Sequence, residues 1–162
     1  MNDATGRAAT ARAIIDRSLY MVLATADVDA DDPTARRPWA TPVYYAPVGY
    51  DEFFWVSSPE ARHSRSIARW PAIGIVIFDS SAPIGTGQGV YLEADAAHVT
   101  GDDLDRGIAV FSARNLEHGG SAWTRDDLPD GGTLQLYRAT VTSHSMLAKD
   151  GQPDHRVPVD LR

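Results

Sequence analysis

Most apolar runs in this chain are short, strand-length segments separated by turn residues, and only a few stretches carry helical spacing. Ala11, Ile14, Ile15 and Ser18 fall at helical spacing over residues 10–18, predicting a short amphipathic helix that closes an N-terminal segment 1–18 and leads into the first strand. Residues 19–26 are apolar on both alternations, as in a strand covered on both faces, and an acidic, proline-containing loop follows over 27–37. Trp39, Thr41, Val43 and Tyr45 then alternate with Ala40, Pro42 and Tyr44, predicting a second strand. Pro42 cannot donate to a ladder, so this strand is an edge, a bulge or a ligand-facing stretch. Residues 47–52 turn the chain into residues 53–57, and a hairpin of the second and third strands is the economical reading. Residues 72–79 and 88–100 predict two antiparallel neighbours. Residues 102–115 predict a helix, with acidic residues in the first turn, Leu104, Ile108, Val110 and Phe111 as its apolar set, and Arg114 near its end. Residues 119–132 read as irregular and polar, 133–142 as a last strand, and 148–162 as an irregular tail.

Six strands joined mostly by short turns and interrupted by two or three helices predict a mainly β protein with helices, of the α+β class. A small six-stranded antiparallel barrel is the favoured form because closure removes exposed sheet edges, with an open α+β sheet as the alternative. The 162 residues amount to one domain. A net charge of −7 argues against nucleic acid as a partner while leaving room for an anionic small molecule. The absence of cysteine excludes disulfides, thiolate nucleophiles and Cys-ligated metal, so cofactor chemistry would be organic. No window has the length of a membrane span and the N-terminus has no signal-type apolar run, so a soluble cytoplasmic protein with no membrane partner is expected. Lys149 is the only lysine among fifteen basic residues, a usage typical of GC-rich bacterial genomes.

The most informative chemistry lies in residues 55–71. Ser58 suits an N-cap, Pro59 a first helical position and Glu60 the positive end of a helix dipole, and free amides at such a start favour a phosphate. Arg62, Arg65 and Arg69 fall on one helix face at spacings of three and four, with His63, Ile67 and Trp70 on a second, more apolar face. A solvated arginine face with serine merely capping explains the segment equally well at this stage. Other chemistries fail on spacing. Gly85, Gly87 and Gly89 do not complete a dinucleotide fingerprint, no two histidines share metal-ligand spacing on a predicted helix, and no Gly-x-Ser-x-Gly elbow is present.

The order of Tyr20-Met-Val-Leu-Ala-Thr-Ala26, Arg37-Pro-Trp-Ala-Thr-Pro-Val-Tyr-Tyr-Ala46, Phe54-Trp-Val-Ser-Ser-Pro-Glu-Ala-Arg-His63 and Ala72-Ile-Gly-Ile-Val-Ile-Phe78 resembles the pyridoxamine 5′-phosphate oxidase-like family. The resemblance implies an FMN-binding split β-barrel and a homodimer with the flavin across its interface. It places Thr41, Pro42 and Val43 along the flavin ring, Ser57, Arg62 and His63 at the phosphate, and Gln88 where the fifth strand supplies a glutamine. It therefore implies an FMN-dependent oxidoreductase moving a hydride between FMN and a small organic substrate, with no catalytic acid or base nominated. Three positions depart from the pattern: His63 stands for a lysine, Thr41 for an arginine and Ala46 for another lysine. Fewer cations imply looser FMN or another cofactor, so a deazaflavin (F420)-dependent reductase, or a non-enzymatic flavin or planar-ligand binder, are the alternatives. The C-terminal residues 144–147 and 155–162 do not reproduce the family's substrate-binding finish, which argues against pyridoxamine phosphate itself as substrate.

Overall fold

The computed structural model describes residues 4–28 and 36–162, so residues 29–35 of the expected acidic loop lie outside the described residues. Its elements are α1 (Ala4–Arg17), β1 (Tyr20–Val28), β2 (Arg36–Tyr44), β3 (Ala46–Val48), β4 (Glu52–Ser57), α2 (Arg62–Arg69), β5 (Ala72–Phe78), β6 (Gly89–His98), α3 (Asp102–Glu117), β7 (Gln135–Leu147) and β8 (Arg156–Pro158), with a 3₁₀ turn at Arg125–Asp127. All strand pairs are antiparallel, in the order β2-β1-β5-β6-β7-β4-β3, with β8 added to β7. The two outer strands of that order, β2 and β3, are consecutive in the chain and separated only by Tyr45. The sheet therefore curls back on itself into a barrel that is split where β2 passes into β3, and the α+β split-barrel fold is the one expected.

Details differ from the sequence reading. There are eight strands among the described residues, not six. β2 forms its hairpin with β1, from Tyr20↔Tyr44 to Val28↔Arg36, so Asp27 and Arg37 are strand residues. Of the hairpin expected before β4 only the short β3 pairs with it, and the other neighbour of β4 is β7. Tyr45 causes the change: its ring is fully buried and its hydroxyl donates to the Ile15 carbonyl at 2.6 Å, which fixes the chain at the split. α1 begins six residues earlier than the apolar spacing predicts, because alanine propagates a helix without a large apolar stripe and Ala8 and Ala11 are small enough to pack against the barrel. The tail is partly ordered: β8 pairs with the end of β7, and Val159 and Leu161 are buried. A three-residue strand beside a proline leaves too short a period to read.

Side-chain alternation builds two cores. Phe53 and Trp55 of β4 point into the barrel with Met21, Leu23, Ile75 and Tyr137, while Phe54 and Leu136 point outward beneath Leu104, Ile108 and Phe111 of α3. Gly107 makes that approach possible. A Cβ there would lie 2.5 Å from Leu136 Cδ2 and 3.0 Å from the Phe54 ring, so a poor helix former is tolerated in exchange for close contact. The outer faces of β1 and β5 have no such cover among the described residues: Tyr20 is 61% and Phe78 47% exposed, and Ala24 is also exposed. The expectation that the first strand is covered on both sides is therefore not met among the described residues of one chain. Among the described residues no helix is long and apolar enough to cross a membrane, and no group of three or more His, Asp or Glu side chains could hold a metal ion.

Candidate functional site

The split of the barrel gathers most of the residues singled out from the sequence. β4 ends at Ser57 and α2 starts at Arg62, so the chain reverses within four residues. The helix start differs from expectation. Ser58 Oγ accepts from the Glu60 amide and the Ser58 carbonyl from the Ala61 amide, closing a separate turn around Pro59, and Ala61 stands at the N-cap without a side-chain cap. The first helical bond runs from the Arg65 amide to the Ala61 carbonyl, which leaves the amides of Arg62, His63 and Ser64 without an intrahelical partner.

The three arginines do not act as one face. Arg65 pairs with Glu60, and Arg69 pairs with Asp27 at 3.1 Å. Arg62 makes no ion pair among the described residues and lies over the Trp39 ring, 4.6 Å from its centroid. It is thus the guanidinium of α2 left uncommitted to a carboxylate. His63 turns inward, 7% exposed, with Nε2 2.8 Å from Ser57 Oγ. Burial pushes its pKa below the usual imidazole value, so it is neutral at pH 7 and positions Ser57 without adding positive charge. Ser64 Oγ is also buried in this first turn and makes no hydrogen bond.

On β2, Thr41 and Val43 share the face that carries Trp39, and Pro42 faces the other way. The Tyr45 amide donates to the Leu19 carbonyl, and by antiparallel alternation Val43↔Met21 and Thr41↔Leu23 are hydrogen-bonded pairs. The missing N–H of Pro42 consequently falls on the outer side of an edge strand, where the ladder does not need it. Gln88 stands apart from this group. It lies just before β6, with two strands between it and β2, in a hollow of about 180 Å³ beside α1 and Lys149. One chain brings together Thr41, Ser57, Arg62 and His63 around the split but does not bring Gln88 to them.

A feature absent from the sequence reading adjoins this group. A cleft of about 540 Å³ opens between Tyr20 and Tyr44 of the β1–β2 hairpin, Val56 of β4, and the C-terminal end of α3 with the segment after it. The rings of Tyr20, Tyr44, Phe111 and Trp123 meet successively edge to face, with centroids 5.6 to 6.1 Å apart. Ser112 Oγ donates to the Trp123 carbonyl and accepts from its amide, tying the loop to the helix. Gly119 terminates α3 in a left-handed conformation (φ 80°), with the Gly120 amide donating to the Asn115 carbonyl. The Gly119-Gly120 pair and Trp123 were the available signals in a stretch that otherwise reads as polar loop.

The family profile described as pyridoxamine 5′-phosphate oxidase matches residues 8–147. The chain belongs to the pyridoxamine 5′-phosphate oxidase-like family. No curated protein matches it by sequence. Among solved structures, a heme binding protein from Mycobacterium smegmatis is 21% identical with a TM-score of 0.68, the match covering 98% of this chain and 59% of that one. The chain thus spans about three-fifths of that protein's length. A heme storage protein from Vibrio cholerae is 19% identical over 85% of this chain and 90% of its own, with a TM-score of 0.60. A pyridoxamine 5′-phosphate oxidase-related, FMN binding protein from Nostoc punctiforme is 17% identical over 94% and 86%, with a TM-score of 0.55. At these identities the likeness is one of fold, and a fold shared by heme and FMN binders does not choose between them.

Whether this member of the pyridoxamine 5′-phosphate oxidase-like family suits FMN is decided by its donors. An uncommitted guanidinium, unpartnered amides at a helix start and a serine hydroxyl match the oxygens of a phosphate monoester. The donor set fits the flavin phosphate with a single cation.

Proposed function

We propose that the protein is a homodimeric, cytoplasmic FMN-dependent oxidoreductase acting on a small organic molecule other than pyridoxamine phosphate. The observation that carries this reading is Arg62, free of any carboxylate among the described residues, at the start of α2 and beside Ser57, His63 and the Trp39 ring. Arg62 and the α2 amides would hold the phosphate, Ser57 would add a hydroxyl fixed by neutral His63, and the outer edge of β2 at Thr41, Pro42 and Val43 would run along the ring. FMN supplies two-electron redox chemistry when bound; this chain's residues bind it, orient it and limit water around it. The bare outer face of β1 and β5 supports a second copy as its cover, and Gln88 would then reach the flavin from the partner rather than within its own chain.

Fluorescence titration of FMN into cofactor-stripped protein tests the reading. Saturable quenching is expected, with Arg62→Ala weakening binding by about 1.5–3 kcal/mol, roughly ten- to over a hundred-fold. Equal affinity in a folded Arg62→Ala variant would remove Arg62 from the phosphate. The single cation supports a second reading, a deazaflavin reductase or a planar-ligand binder, and parallel titrations with F420 and with heme separate these from the flavin.

A further inference from the structure

Residues 79–88, between β5 and β6, hold an apolar side chain out in water on a turn that is tied in place. The Thr86 amide and hydroxyl both donate to the Pro83 carbonyl, at 3.0 and 2.8 Å, and Gly85 takes a φ of 83°, so residues 83–86 form a type II turn with Ile84 at its first corner. Lys149 Nζ donates to the Gly85 carbonyl at the tip. At the base, Asp79 accepts from the Ser81 amide and hydroxyl and pairs with Arg17. Ile84 is fully exposed at that corner. A lone exposed aliphatic residue is ordinary, but one fixed at the corner of a turn held at tip and base is a knob presented to a partner. The concavity that matches it is the aromatic cleft. Tyr20, Tyr44, Phe111 and Trp123 are held there by edge-to-face contacts and by the Ser112–Trp123 hydrogen bonds, Leu134 stands at the rim, and about 540 Å³ leaves room for Ile84 together with Pro83.

Register and symmetry bring knob and cleft together. The pairs Tyr20↔Tyr44, Val22↔Val76 and Phe78↔Gly89 put the end of β2, the start of β1, the end of β5 and the start of β6 at one end of the sheet. The cleft rim at Tyr20 and Tyr44 and the loop that carries Ile84 therefore share that end. Gln88 borders, with Val76, Phe78 and Tyr91, an apolar groove on the bare outer face. Two such faces packed about a twofold axis across the strands would bring opposite ends together and keep Gln88 away from the end of β2 in the other copy. A twofold axis along the strands instead lays β5 and β6 of one copy over β1 and β2 of the other with like ends together. Only this second packing lets Gln88 reach the flavin of the other copy, and it carries Ile84, four residues earlier, over Tyr20 and Tyr44 of that copy. We propose that in the homodimer the 83–86 turn of each copy seats Ile84 in the aromatic cleft of the other, so that each cofactor site is completed and closed against water by its partner. This rests on the homodimeric reading in which Gln88 crosses between copies. Because β2 runs from Val43 straight into Tyr44, the seated side chain would stand next to the flavin ring.

Directed cross-linking tests the assignment, and a chain without cysteine of its own suits it. Full-length copies carrying Ile84→Cys, co-expressed with copies carrying Leu134→Cys, are expected to be joined by a short bis-maleimide. The yield should be roughly ten-fold above that with Thr100→Cys, which is exposed beyond the far end of β6 and serves as the collisional control. Ile84→Asp should raise the dimer dissociation constant in sedimentation by roughly ten-fold or more, the effect of placing a charge in an apolar socket, while Ile84→Leu stays close to the wild type. Because Ile84 packs against nothing in its own chain, both variants should keep the wild-type circular dichroism spectrum. A dimer that gives no more cross-link at Leu134 than at Thr100, or whose dissociation constant ignores Ile84→Asp, would overturn the seating of Ile84 and leave the dimer reading intact. A wild-type chain that sediments as a monomer at micromolar concentration would remove the dimer reading and the proposal together. If the cross-link and the Ile84→Asp effect are found but FMN does not bind, the flavin reading falls and the seating of Ile84 stands.

Discussion

The outer faces of β4 and of β1 begin from similar sequences and end in opposite environments. Phe53, Phe54, Trp55 and Val56 are apolar on both alternations, and so are Tyr20, Met21, Val22, Leu23 and Ala24. On β4 the second face is covered by α3, with Phe54 fully buried under Leu104 and Ile108. On β1 the second face, continued by Phe78 on β5, faces outward with nothing over it among the described residues. Two-sided apolarity in a strand therefore announces that a cover exists, not that the same chain supplies it. The bare face lies on the same side of the sheet as the outer side of β2, next to the proposed cofactor residues, where a second copy would add Gln88 to the site.

The contrast is sharpest in mutants. Phe54→Ala should cost about 3–5 kcal/mol in urea unfolding, the range for emptying a buried aromatic site. A loss below about 1 kcal/mol would mean that α3 does not seal that face. Phe78→Glu should leave the folded monomer within about 0.5 kcal/mol of the wild type while converting a dimer to a monomer in sedimentation at micromolar concentration. If the variant sediments as the wild type does, the bare face is not the one a second copy covers. The smallest effect concerns His63, which α2 turns inward. Its folded pKa lies below the value of about 6.5 for an unfolded histidine, so below that pH the unfolded chain binds a proton that the native state resists. Stability should therefore be full above pH 7, fall as the pH drops below about 6.5, and level off once the folded-state pKa is passed. His63→Gln should flatten that dependence in urea titrations at pH 7.5 and 5.0; an unchanged slope would assign the loss to other groups.

Much of the site was legible because it depends on local chemistry. A serine, a proline and arginines after a strand end describe a helix start suited to phosphate, and the helix forms there, three residues later than Ser58 suggests because Ser58 and Pro59 close their own turn. Which arginine is uncommitted was not legible, since Glu60 and Asp27 claim Arg65 and Arg69 through contacts that include one from a distant strand. Nor was the inward turn of His63: helical spacing puts it opposite the arginines, but only the packing of α2 on the barrel removes its charge. The cleft was hidden for the same reason, because its four rings come from residues 20, 44, 111 and 123.

Alternation, turn residues and the missing thiols determined on their own that this chain would be a mainly antiparallel β protein with an anion-suited helix start and without cysteine chemistry. These properties depend on backbone sterics, side-chain period and local donors, all of which act within a few residues. The tertiary structure decided that β2 pairs with β1, that Tyr45 marks the split, that Arg62 alone among the α2 arginines has no carboxylate partner among the described residues, and that the rings of Tyr20, Tyr44, Phe111 and Trp123 meet around one cleft. Each of these depends on which distant groups arrive together when the sheet curls closed, and no local pattern encodes that arrival.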